Sequence, residues 1–115
     1  MDDKKIVVRR LYNCSEEIAK KMDIDKVILF GSYAKGCVTK ESDIDILVIG
    51  SKKDRDLRTK MGLMFHKTLP KKPIDVLLKT RDEIERRLKI GDSFIKEIID
   101  KGEVIYERDC RGVVG

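Results

Sequence analysis

Aromatic residues make up only 5% of this 115-residue chain, and no cluster of them offers a platform on which bases could stack. That argues against a base-stacking RNA-binding module, so direct nucleic-acid binding is not expected. Cysteine is scarce: Cys14, Cys37 and Cys110 are odd in number and far apart, without a C-x-x-C or a His/Cys cluster. The spacing excludes a disulfide framework and a structural zinc site, and it fits a reducing compartment. No run of about 18 apolar residues occurs, and "MDDKKIVVRR" is charged almost from its start. Neither a membrane span nor a signal peptide is expected, and the expected location is the cytoplasm. Linkers, repeats and low-complexity stretches are missing too. The expectation is one domain over residues 1–115, with an N-terminal helix about 3–22, a core about 26–107 and a frayed tail 108–115.

What is present is charge and apolar periodicity. Charged and hydrophobic residues each account for 41%, enough of both to fold. The net charge of +5 suits polyanions such as nucleotides, nucleic acid or an acidic protein, although a solvated basic surface would give the same number. Val7, Leu11, Cys14, Ile18 and Met22 fall at helical spacing and predict an amphipathic helix. "KVILFG" predicts a buried strand, "SYAKG" a tight turn opening a short helix, and "DIDILVIG" a second strand. Leu57, Met61, Met64 and Phe65 predict a helix whose apolar face is core, or a partner surface if that helix stands at the domain's edge. "KPIDVLLK" predicts a third strand, with Pro73 where a strand can start. Thr80 and Glu83 form a capping box. Phe94, Ile95, Ile98 and Ile99 are expected in the core, with Gly102 as the C-cap of their helix. "EVIYE" predicts a short edge strand. Strands alternating with helices give an α+β (mixed α/β) domain of two or three layers, a small mixed β-sheet flanked by helices.

The apolar run "IDILVI" carries an unexpected burden of charge. Side chains alternate along a strand, so Asp43 and Asp45 share one face while Ile44, Ile46 and Val48 take the other. The third strand repeats the pattern with Asp75 between Ile74 and Val76. If these strands are neighbours, three carboxylates converge. Uncompensated, they repel one another and raise their own pKa values; a hard divalent cation such as Mg²⁺ removes that penalty and shares its sphere with phosphates. Two such ions can serve an attacking hydroxyl and a leaving phosphate together. Upstream, Gly31 permits a sharp turn, Ser32 opens a short helix whose free N–H groups favour an anion, Lys35 adds positive charge and Gly36 closes the turn. A phosphate cradle facing a metal site is the equipment of phosphoryl or nucleotidyl transfer. Singly, each piece has an ordinary explanation as a turn, a cap or a salt-bridge partner. The combination, Gly31-Ser32 followed eleven residues later by Ser42-Asp43-x-Asp45 and then Asp75, is far more specific.

At these residues the chain resembles the minimal nucleotidyltransferases of the DNA polymerase β-like superfamily. "GSYAKG" matches their G-S-x-A-x-G, "SDIDILV" their S-D-x-D-hydrophobic, and "IDVLL" their third aspartate strand; the likeness covers roughly Val27 to Glu107. The resemblance implies the nucleotidyltransferase fold, ATP as substrate, Mg²⁺ with two ions in play, and transfer of AMP to a hydroxyl. It implies nucleotide binding at Gly31, Ser32 and Lys35, metal binding at Asp43, Asp45 and Asp75, and Asp75 as general base. It further implies a HEPN-domain ribonuclease toxin as partner, neutralised by AMP placed on a tyrosine. The chain lacks the R-x4-H motif, so it is not itself the HEPN protein. Lys35 stands where arginine is common among relatives, which keeps the charge and loses the bidentate fork.

Other readings have their own tests. A binding-only antitoxin would neutralise its partner without chemistry. A small-molecule nucleotidyltransferase would need a second domain for its acceptor. His66 is read as a partly exposed structural histidine and Cys37 as a packing residue. Lys52, Lys53 and Arg55 are read as a solvated helix start, and Tyr33 as stacking in or lining the acceptor cleft.

Overall fold

The computed structural model describes residues 3–35, 43–51 and 55–108, with the side chains of Asp3 and Lys35 left out. Gly36, Cys37, Ser42, Lys52, Lys53 and, of the tail 108–115 expected to fray, residues 109–115 with Cys110 lie outside the described residues; Arg108 is described and pairs with Asp23 and Asp25. The elements run α1 (Asp3–Lys21), β1 (Ile24–Phe30), α2 (Ser32–Lys35), β2 (Ile44–Gly50), α3 (Arg55–Thr68), β3 (Ile74–Thr80), α4 (Arg81–Lys89), α5 (Ser93–Lys101) and β4 (Glu103–Glu107). The four strands form one sheet in the order β3-β2-β1-β4. β1 is antiparallel to both β2 and β4, and β2 is parallel to β3. A parallel neighbour needs a long crossover, which the segment carrying α3 supplies. The sheet is mixed, as expected, and "EVIYE" is one of its two edge strands.

β1 and β2 are central, and they read as near-continuous apolar runs because both of their faces are covered. On one face, Val7, Leu11, Cys14 and Ile18 of α1 and Met61 and Phe65 of α3 pack against Val27, Leu29, Ile44, Ile46 and Val48. On the other, Ile84 of α4 and Ile95 and Ile98 of α5 pack against Ile28, Leu47 and Ile49. The result is three layers. Each buried side chain of this size contributes roughly 1.5–3 kcal/mol against exposure. Leu57 and Met64 also pack on the first core, so the apolar stripe of α3 is core rather than a partner surface.

α4 begins with the capping box: Thr80 Oγ1 accepts from the Glu83 N–H, and the Glu83 carboxylate accepts from the Thr80 N–H, each at 3.1 Å. α5 is capped by Asp92, whose Oδ1 accepts from the N–H groups of Phe94 and Ile95 at 3.0 and 3.2 Å. Two expectations about aromatic residues need correcting. Phe94 is not core: it is 54% exposed and meets Phe30 edge-on, centroids 5.8 Å apart. α5 is only nine residues long, and the stripe it buries runs through Ile95 and Ile98, which turns Phe94 out of the packed layer. Tyr33 does not line a cleft: its ring is fully buried in the first core, with the Lys72 ammonium 5.5 Å from its centroid. Gly102 does cap α5, but at φ −70° and ψ 161°, an ordinary conformation for any residue. The need for glycine there is spatial. A Cβ would stand 2.4 Å from the Ile98 carbonyl oxygen and 2.5 Å from Ile28 Cγ2.

Candidate active site

β1 ends where β2 and β3 begin, so three strand ends meet at one end of the sheet. In the ladder between β2 and β3, Asp45 pairs with Asp75. Directly paired residues share a face, so the two carboxylates emerge side by side. That face also carries Leu47, Ile49, Ile28 and Leu77, which lie under α4 and α5 further along. Asp45 is half-buried; Asp43, just before β2, and Asp75 are exposed. Burial pushes the Asp45 carboxyl above its ordinary range, and the charges of Asp75 and then Asp43 push it further. Alternation thus brings Asp45 and Asp75 side by side, with the electrostatic cost that Asp75 and Asp43 impose on Asp45.

On the other side of Asp45, the ladder with β1 pairs it with Phe30. The chain then turns at Gly31, whose φ of 76° is a left-handed conformation that side chains disfavour. A Cβ at Gly31 would stand 2.5 Å from Asp45 Oδ2. The turn thus carries the backbone against the carboxylate and delivers Ser32, exposed, as the first residue of α2. Gly31, Ser32, Asp43, Asp45 and Asp75 are gathered at one end of the sheet. The side chain of Lys35 lies outside the described residues. His66 is exposed on α3, which packs on the opposite face of the sheet.

The donor set for a metal is oxygen only, which suits Mg²⁺ rather than zinc. Among the described residues, no three His, Cys, Asp or Glu side chains are gathered closely enough to enclose an ion by themselves. Mg²⁺ completes its sphere with water and substrate phosphates beside protein carboxylates. Asp45, raised by burial and by two negative neighbours, would be relieved by such an ion.

One wall of the site was not legible beforehand. α5 packs on this face beside the end of β1, and a cavity of about 270 Å³ lies between it and Gly31, Ala34 and Asp45. Phe94, Glu97, Ile98 and Lys101 line its far side. These four recur at helical spacing, but nothing in "DSFIKEIIDKG" says that this stripe meets a strand end rather than solvent.

A three-layer mixed domain with paired carboxylates at a glycine turn defines a nucleotidyl-transfer fold. Residues 13–111 match the family of polymerase β nucleotidyltransferases, and the chain belongs to it. It is a nucleotidyltransferase, and its resemblance to the minimal members of that superfamily is borne out. Among its relatives is "Putative protein adenylyltransferase MJ0604" of Methanocaldococcus jannaschii, 37% identical over 86 residues, which span 72% of this chain and 79% of that one. The fold is similar to a chain in a crystal structure of a toxin–antitoxin with AMP-PNP, at TM-score 0.60 and 18% identity, covering 90% of this chain and 78% of that one. It is also similar to a chain in the structure of a tri-AMPylated HEPN toxin in complex with its MNT antitoxin from Shewanella oneidensis. There the TM-score is 0.56 and the identity 15%, with 96% of this chain and 78% of that one covered.

Proposed function

We propose that this nucleotidyltransferase transfers AMP from ATP to a hydroxyl of a partner protein, a HEPN-domain toxin, and so acts as an antitoxin. The observation that carries this reading is the pairing of Asp45 with Asp75 in adjacent strands, with Gly31 closed against Asp45. The name of the Methanocaldococcus relative and the assembly of the Shewanella antitoxin with its toxin support the protein acceptor.

In this reading Gly31 and Ser32 hold the triphosphate through the close-approaching backbone and the hydroxyl, and Lys35 adds positive charge. Asp43, Asp45 and Asp75 would hold Mg²⁺. When bound, the metal neutralises the phosphates and the developing charge on the oxygens that enter and leave. Asp75, exposed at the start of edge strand β3, accepts the proton of the acceptor hydroxyl. That oxygen bonds to the α-phosphorus, the bond from the α-phosphorus to the bridging oxygen breaks, and pyrophosphate departs. The residues position and neutralise, which is most of what in-line displacement requires.

Intact-mass spectrometry of a co-expressed HEPN partner tests the proposal. The expected result is one or more added AMP units, absent when the chain carries Asp43→Asn and Asp45→Asn. An unmodified partner that still co-purifies and is still silenced would replace transfer with simple masking.

A further inference from the structure

The cavity under α5 is larger than the carboxylates need, and its chemistry differs from theirs. Phe30, Ala34, Phe94 and Ile98 make most of its wall apolar, while Asp45 sits at one margin. Phe94 stands in its mouth with half its surface in water, braced edge-on by Phe30. An aromatic ring held in place yet left uncovered is a surface ready to stack.

The sheet says which part of the reaction this cavity serves. Asp45 has Asp75 as its partner on the β3 side and Phe30 on the β1 side. In the reading proposed above, Asp75 faces the acceptor hydroxyl, so the cavity lies across Asp45 from the acceptor. It belongs to the donor. Phosphates would be poorly served by apolar and aromatic walls. A volume of about 270 Å³ sits just below the range of whole-ligand clefts and suits one flat ring system. Glu97 and Lys101, one helical turn apart on α5, bring a carboxylate acceptor and an ammonium donor to the same cavity. A nucleobase edge presents such a donor and acceptor side by side.

We propose that this cavity receives the nucleobase of the donor nucleotide, with Phe94 against its face and Glu97 and Lys101 along its edge. The inference rests on the nucleotidyltransferase reading of the carboxylate site and assigns the donor's base to α5.

Calorimetric titration with MgATP and, separately, with magnesium tripolyphosphate tests it without any turnover. Tripolyphosphate carries the phosphates and no base. Phe94→Ala should raise the Kd for MgATP by about tenfold, the usual effect of losing one aromatic–base stack. It should leave tripolyphosphate binding unchanged, and Phe94→Trp should restore MgATP binding. Because Phe94 is exposed, the Ala variant is expected to fold, which its melting curve verifies. Glu97→Gln should change the ratio of ATP to GTP affinity by at least about threefold, since one base-edge partner changes. MgATP affinity unmoved by Phe94→Ala, or an equal loss for both ligands, would overturn the assignment, as would an unaltered ATP-to-GTP ratio. A wild-type chain that binds neither ligand would instead sink the nucleotidyltransferase reading beneath it.

Discussion

Gly31 and Asp45 are in such close approach that a single added methyl at Gly31 would reach to 2.5 Å of Asp45 Oδ2. The glycine is therefore constrained twice, by its left-handed backbone and by the carboxylate beside it. This links the turn that ends β1 to the charge that opens β2, and it makes the geometry of the site sensitive to one atom.

Gly31→Ala should cost about 1–2 kcal/mol from the left-handed conformation alone. The approach to Asp45 then displaces the carboxylate as well, so activity should fall further than stability. Thermal melting beside a transfer assay separates the two. A variant that melts lower yet transfers at the wild-type rate would show that the turn can shift without moving Asp45.

Asp45 pays an electrostatic penalty for its place among Asp75 and Asp43. Asp45→Asn should therefore melt higher than the wild type at neutral pH in the presence of a chelator, while losing transfer activity. Adding Mg²⁺ and ATP should raise the Tm of the wild type and not that of the variant. A wild-type Tm indifferent to Mg²⁺ and ATP together would count against metal and nucleotide at these carboxylates.

A second electrostatic cluster braces the far end of the sheet. Arg108, just after β4, donates to the Asp23 carboxylate, and its other guanidinium nitrogen lies 3.4 Å from Asp25, which Arg81 of α4 also holds at 2.7 Å. The guanidinium of Arg108, followed by the Ser51 hydroxyl, holds the Asp23 carboxyl below its ordinary 3.8. A carboxyl lowered in the folded chain stabilises above the unfolded pKa and ceases to do so as pH falls through the folded one. Arg108→Ala should thus be less stable than the wild type at pH 7, with the gap closing as the pH drops below about 3.8. Urea unfolding at several pH values measures it, and a gap independent of pH would mean that Arg108 acts through packing alone.

Gly102 and Gly62 should respond oppositely to an added methyl. Gly102→Ala forces a methyl into the Ile98 carbonyl and Ile28, where α5 meets β1. A cost of about 2 kcal/mol is expected from such overpacking, or roughly 10 °C in Tm for a domain of this size. Gly62, inside α3, has nothing within 4 Å of an added Cβ. Gly62→Ala should stabilise by about 0.5–1 kcal/mol through helix propensity alone. Equal effects at the two positions would contradict the packing of α5.

The sequence by itself determined the elements and the identity of the charged residues. Alternation in "IDILVI" and "PIDVLL" placed the aspartates on one strand face, because the strand period of two leaves no other choice. The capping box at Thr80 and Glu83 and the core stripe of α1 were legible for the same reason: they are local, and their spacing is their signature. Only the tertiary structure decided which strands are neighbours, and so whether Asp75 meets Asp45 at all. It also decided where the nine-residue α5 lies. Its apolar residues outnumber the positions it can bury, so periodicity alone put Phe94 in the core, whereas packing left it beside the site. Tyr33 went the other way, since a residue beside a turn reads as cleft-lining until its ring is seen to sink into the core. What neighbours a residue along the chain is written in its spacing; what neighbours it across the fold is settled by which apolar faces find each other.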